Sequence, residues 1–456
     1  MNAVAGLLLS VLVIQNVTLI SPERKAPMRH ASVIVRDGKI VQVGTRVAVP
    51  ADAQIVDGTG KFLIPGLIDS HVHPGAPGPL DEGAIEKHPE LLQAYRSQLP
   101  RAFLAFGFTT LIDLDLRPET MSWFNAAPQH PTLYSCGPGV RVTGGYGSHV
   151  KDANIADTPA QVPRAIDRVV EAGGICVKTF IEPGFGGARN WPVPSREVLD
   201  AIRAEATKRG LVLMIHANAV EAWRPALEAH ADVIAHGLWH WSVFDRGTAP
   251  PAEAREVIES AARQGVWVQP TLQSVYGDLS IFDPSMLKDP RLAIALPRTI
   301  IAYLKSDEGK AGQDAIQDEY RSLIKGMFPN LDPLDVMWIA PKRATATLRI
   351  MNADGVKLLF GSDTPANEGI GNPPGLNGRL ELSRWAEAGV PLPKILRAAS
   401  LDNAIALHLR DRGTIESGKR ADLVLLDADP LKSVEAYDAI DTVILDGVPI
   451  ARSSLW

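Results

Sequence analysis

The chain has 456 residues, of which 46% are hydrophobic and 21% charged, and its formal net charge is −6. That length exceeds one simple core and fits two or three units, one of them long enough for a (β/α)8 barrel of about 250 residues or more. The acidic balance without a basic run argues against nucleic acid as a partner. No further run of about 18 apolar residues speaks for a membrane span.

Residues 3–14 are apolar enough for the core of a signal peptide, but no Lys or Arg precedes them and no clear cleavage site follows. The run passes directly into 11–20, which reads as a strand. The balance favours a soluble, cytoplasmic protein and leaves export open if this segment is a weak signal peptide. Strands are expected at 11–20, 31–36 and 39–43, the last two joined by Asp37-Gly38, a dipeptide suited to a tight hairpin. The C-terminal end repeats this texture, with strands at 421–427, 441–445 and 448–451 and a second turn at Asp446-Gly447. All-β pieces at both ends predict one small β-sandwich built from residues 1–62 and 412–456.

Residues 63–411 alternate apolar strands with amphipathic helices. Strands are expected at 63–73, 109–114, 132–135, 174–180, 212–216, 233–236, 266–270 and 356–362, with helices at 196–208, 221–230 and 252–264 among the segments between them. Eight strands with helical crossovers predict an α/β chain whose centre is a (β/α)8, TIM-like barrel. An open doubly wound sheet would carry a Gly-rich phosphate loop after its first strand; that position holds His-Val-His-Pro-Gly instead. About 85 residues separate the last two strands, far more than an ordinary connection. The helix at 341–351 reads as the crossover, and about 283–340 as a helical insertion, either a lid over the barrel mouth or a packing or dimerisation appendage. Cys136 and Cys176 each lie inside an apolar run and are expected as two buried free thiols.

Several strands end in residues that bind cations. On a strand His71 and His73 share a face while Val72 points away. The fourth strand carries Lys178, pointing inward alongside Cys176 and Phe180, where an ammonium without a partner loses its proton readily. The fifth ends in His216, the sixth in His236 and the eighth in Asp363. All sit at carboxyl ends, where barrel active sites are built. Imidazole and carboxylate suit zinc, manganese, iron or nickel, with zinc the default.

With these residues in view, the chain resembles the amidohydrolase superfamily, and within it the imidazolonepropionase-related branch of metal-dependent dipeptidases, carboxypeptidases and ochratoxin-type amidases. The likeness runs through Phe62-Leu-Ile-Pro-Gly-Leu-Ile-Asp-Ser-His71-Val-His73, Gly107-Phe-Thr-Thr-Leu-Ile-Asp113 and Gly413-Thr-Ile-Glu-Ser-Gly-Lys-Arg-Ala-Asp-Leu-Val424. It implies two divalent metal ions bridged by a carboxylated Lys178, with His71, His73 and Asp363 on the buried ion and His216 and His236 on the more exposed one. Single-metal relatives lack this lysine. Adenosine-type deaminases place a glutamate three residues after the fifth-strand histidine, where this chain has Ala219; deamination is therefore disfavoured.

The expected reaction is hydrolysis of an amide, in a dipeptide or an N-acyl amino acid, by a hydroxide shared between the cations, with Asp363 carrying the proton to the leaving amine. The same site could serve an ester, lactone, carbamate or phosphoester. A non-catalytic scaffold would be expected to lose ligands, and none is lost here. Tyr146, His149 and His240 are the candidate substrate contacts, with Tyr276 and Arg379 behind them; Tyr146 stands where relatives often have histidine. Glu182 to Gly187 reads as flexible backbone near the metals, and His30, His88, His130, His230 and His408 as surface or structural groups. The partner is then a small molecule, and a homo-oligomer stays open.

Overall fold

The computed structural model describes residues 11–117, 119–241, 247–365 and 369–456. Residues 1–10, which hold most of the apolar N-terminal run, lie outside the described residues. Eight parallel strands form the barrel: Leu67–Val72, Phe108–Asp113, Thr132–Ser135, Cys176–Phe180, Val212–His216, Val233–Ala235, Trp267–Gln269 and Lys357–Leu358. The third joins the fourth through Ile175 N–H to the Ser135 carbonyl at 2.8 Å. The eighth meets the first through Ser70 N–H to Phe360 O at 3.2 Å and Asp363 N–H to His71 O at 2.7 Å. The ring is thereby closed.

Helices follow their sequence signals. Arg196–Lys208 starts where Ser195 accepts the Val198 amide, and it buries Val198, Leu199, Ile202 and Ala206 as one stripe against the barrel. Ala252–Gln264 stops at Gly265, whose φ of 68° supplies the left-handed end.

The terminal strands form one eight-stranded sheet drawn from both ends of the chain. Leu12–Leu19 pairs along its first half with Gln54–Asp57 and along its second half with Phe62–Pro65, and that change of partner lets the sheet fold over a core of its own. Leu12, Ile14, Leu63, Leu423 and Leu425 line this core. The alternate residues Ile64, Val424 and Leu426 face the other way and join the barrel's core. Asp37-Gly38 and Asp446-Gly447 both have positive φ at the two turn residues, as a tight hairpin demands.

Two expectations need correction. The strand foreseen at 63–73 is two strands, Phe62–Pro65 in the terminal sheet and Leu67–Val72 in the barrel. They part at Gly66, where a Cβ would lie 2.1 Å from Thr109 Oγ1. Continuous apolarity concealed the break, because both pieces are buried. Cys136 and Cys176 are not free thiols but a disulfide. The parallel pairing of the third and fourth strands brings their Cα atoms to 4.3 Å across a separation of 40 residues, which no local pattern announces. The pair sits among Ile112, Leu114, Met214 and Leu359 in the barrel floor.

The stretch expected as an insertion, 283–340, packs against neighbouring elements at several points. Leu292–Ala295 and Arg298–Lys305 contact the helix Pro89–Ala105. Gln98 Nε2 donates to Ile294 O and Leu455 O at 3.0 Å each. His88, read as a surface or structural group, lies 3.1 Å from Glu308 at the start of the long helix Asp307–Met327.

Candidate active site

The first barrel strand is buried along its whole length and delivers His71 to the mouth, with His73 just beyond it. Their rings lie 5.2 Å apart, so alternation does place them on one face. Both ring nitrogens of His71 are buried without a hydrogen-bond partner. Such orphaned atoms are costly unless something absent from a bare protein chain satisfies them.

Asp363 stands opposite. Its Oδ1 is 3.3 Å from Nε2 of both His71 and His73, and its Oδ2 is 3.7 Å from His236 Nδ1. Burial opposes ionisation of this carboxyl, but the imidazoles of His71, His236 and His73 hold it well below the usual range. Its φ of 58° is a left-handed conformation that a non-glycine residue adopts only when its surroundings impose it. The imposition is visible. Asp69 accepts the amides of His71 and Ser362 at 3.2 and 2.9 Å and the Ser362 hydroxyl at 2.5 Å. Asn377 Nδ2 donates to the Ser362 carbonyl at 2.7 Å and to Thr364 Oγ1 at 2.9 Å.

Lys178 is 1% exposed, with its ammonium 5.6 Å from the Phe180 ring centroid. Burial pushes it down to about 7, against the pull of Asp363 and Asp115. A share of amine is thus present at neutral pH. His216 and His236 meet edge to face at 4.5 Å, and His236 lies 4.8 Å from His71. Burial, aided by neighbouring cationic groups, holds His71 and His236 well below the ordinary imidazole value. Neutral imidazoles are the form that binds metal.

The loops add groups that the strand pattern did not single out. Glu182, expected on flexible backbone, is fixed. Its Oε1 accepts the amides of Gly184 and Phe185 at 2.7 and 2.6 Å. Its Oε2 lies 3.0 Å from His216 Nε2 and accepts Asn218 Nδ2 at 2.8 Å. Burial opposes its ionisation, but these donors bring it to about 2. The signal was present: Lys178, Phe180 and Glu182 continue one inward face, as do His216 and Asn218.

The substrate candidates divide. Tyr146 stacks on His216 at 5.1 Å and 29°, and its hydroxyl makes no hydrogen bond to a described residue. Burial raises its phenol well above the usual value, with Asp363 and Glu182 adding to the effect. His240 lies against the segment 182–187, where a Cβ on Gly186 would come 2.6 Å from its Nδ1, and burial pushes it down to about 4. His149 is exposed on its loop. Arg379 is buried in an ion pair with Asp438 at 2.6 Å, and Tyr276 lies 3.0 Å from the Thr345 hydroxyl.

The fold is a barrel, and at its rim lies a group of residues that could hold a cation: nitrogen and oxygen atoms of His71, His236 and Asp363 lie within 4.8 Å of one another. The sequence matches the amidohydrolase family over residues 62–450, and the chain belongs to that family. It is 24% identical to an N-acyl-D-aspartate deacylase of Alcaligenes xylosoxydans xylosoxydans over 453 residues, covering 91% of this chain and 85% of the relative. Among solved structures it is similar to a Xaa-Pro dipeptidase with bound methionine (TM-score 0.70, 20% identity, 97% and 100% of the two chains). It is also similar to the ochratoxinase of A. niger (TM-score 0.68, 20% identity, 97% and 95%). No helix among the described residues is long and apolar enough to cross a membrane.

Proposed function

We propose that this chain hydrolyses an amide bond, in a dipeptide or an N-acyl amino acid, with two divalent cations, zinc by default. The observation that carries the reading is the convergence of His71, His73, His216, His236 and Asp363 near the buried Lys178, with neither nitrogen of His71 hydrogen-bonded to a described residue. The deacylase likeness along most of the chain supports the amide class.

His71, His73 and Asp363 would hold one cation, and His216 and His236 the other. Lys178 would serve both after its amine adds to carbon dioxide and loses a proton, which converts a costly buried cation into an anionic carbamate. When bound, such cations acidify water from 15.7 towards about 7 and polarise a carbonyl.

The remaining work falls to the chain's own residues. Asp363, kept ionised by its imidazole neighbours, accepts the attacking water's proton at a carboxylate oxygen and delivers it to the leaving nitrogen. Tyr146, neutral across the ordinary pH range, donates its hydroxyl hydrogen to the carbonyl oxygen as negative charge develops there. The indole of Trp239, 5.9 Å from His236 and 5% exposed, walls water away from that side.

The test is metal analysis followed by a screen of dipeptides and N-acyl amino acids. About two equivalents of zinc per chain and turnover of one such amide are expected. A chain that takes up no metal overturns the binuclear site; a fully loaded chain inert on every amide but active on esters overturns the substrate class.

A further inference from the structure

Glu182 has no counterpart in the ligand set, yet it is among the most constrained carboxylates of the molecule. It is 1% exposed and all its acceptor positions are occupied: two by backbone amides of its own loop, one by Asn218 and one by His216. The loop that carries it is closed on itself by Arg189 N–H to Gly184 O at 2.9 Å and Trp191 N–H to Pro183 O at 3.0 Å. Three N–H donors already point at the Glu182 oxygens, so the carboxylate acts as an acceptor throughout, and at 3.0 Å the imidazole is the donor, with the proton on Nε2. One face of the ring is covered by Tyr146, 5.1 Å away at 29°, and His236 abuts it at 4.5 Å. These contacts hinder a turn that would exchange the two nitrogens.

We infer that Glu182 is a positioning residue for His216: it holds the imidazole as the Nε2–H tautomer and so leaves Nδ1 as the bare nitrogen offered to the cation shared with His236. The inference rests on the binuclear reading above for the identity of what Nδ1 meets, but the tautomer belongs to the protein itself. With every acceptor position in use, Glu182 is not a proton carrier. Its charge matters more than its size. In Glu182→Gln the carbonyl oxygen stays with the two backbone amides, so the new NH2 group faces His216. An amide hydrogen directed at Nε2 pulls the lone pair there and moves the imidazole proton to Nδ1, closing the ligand position. Glu182→Gln should thus be worse than Glu182→Ala, which leaves the tautomer free. Glu182→Asp, which keeps the charge, should recover part of the loss.

The experiment uses full-length protein labelled with 15N-histidine, first stripped of metal. The His216 resonance is assigned by its disappearance in His216→Asn. Wild type should show the Nε2–H form, and Glu182→Gln the Nδ1–H form. After zinc loading, elemental analysis should fall from about two equivalents to about one in Glu182→Gln, with affinity at the weaker position down about 10–100-fold. Thermal unfolding of the stripped variants separates this from misfolding. An Nδ1–H wild type, an unchanged tautomer in Glu182→Gln, or equal zinc affinity in all variants overturns the inference. A wild type that shows Nε2–H but binds no zinc overturns the binuclear reading and leaves the Glu182–His216 contact standing.

Discussion

The two halves of the barrel mouth are held by different means. Where the first and eighth strands meet, His71 and Asp363 are fixed by groups on regular elements: Asp69 on the strand itself, Asn377 on a helix, and Asn403, whose amide spans the Ile68 and Phe360 carbonyls at 2.8 Å each. Gln269, from the seventh strand, reaches across to Ser70 O at 2.9 Å. Around His216 the supports are loop residues: Glu182 and Asn218 beyond their strands, and Tyr146 laid on the ring. A strand-held group keeps its place whatever the loops do, whereas loop-held groups can be exchanged without disturbing the barrel. The first arrangement suits a fixed ligand set, the second a centre adapted to its substrate.

The comparison can be broken most sharply at Asp363. Replacement by Asn should lower turnover by about 10³-fold, near 4 kcal/mol, because it removes the proton acceptor. Steady-state kinetics with matched metal analysis checks this, and near-normal turnover would take Asp363 out of the proton pathway.

Asp69 should show its effect in stability. Burial lifts it to about 7 from 3.8. A carboxyl so raised stabilises the native state most below the unfolded value and loses that contribution as pH climbs through about 7. Wild type should therefore lose about 2–4 kcal/mol between pH 4 and 7 relative to Asp69→Asn. Parallel denaturation curves for the two proteins would refute this.

Tyr146→Phe should cost about tenfold to a hundredfold in kcat/KM while leaving two equivalents of zinc in place. Loss of metal instead would make Tyr146 a structural support of His216. The smallest effect concerns chelation. Of two bound cations, the one beside His216 and His236 should leave first in a chelator titration. Release of both together would mean the halves are not independently held.

How much of this was legible in the residues depends on where each contact lies in the chain. Side chains at strand ends, such as His71, His216, His236 and Asp363, announce themselves because period-two apolar runs point to them and position along a strand fixes their depth. The two Asp-Gly hairpins were legible for the same local reason. Contacts across the chain were hidden. The cysteine pairing depends on which strands neighbour one another, and the break at Gly66 on the approach of Thr109. Arg379 looked like a loop residue and is a buried partner of Asp438, 59 positions away. Glu182 lay between these cases: its alternation with Lys178 was readable, but its bond to His216 required two loops to be seen together.

The strand Phe62–Pro65 runs through Gly66 directly into the strand that carries His71, and its neighbour on one side is Leu423–Leu426. The strand therefore waits for a segment made hundreds of residues later before its edge is filled. A nascent chain arrested before residue 423 would present Leu63 and Ile64 as an open edge, next to the strand that carries His71, and would be a natural target for chaperones. Arrival of Leu423–Leu426 and consolidation of the strand that carries His71 are in this sense a single event.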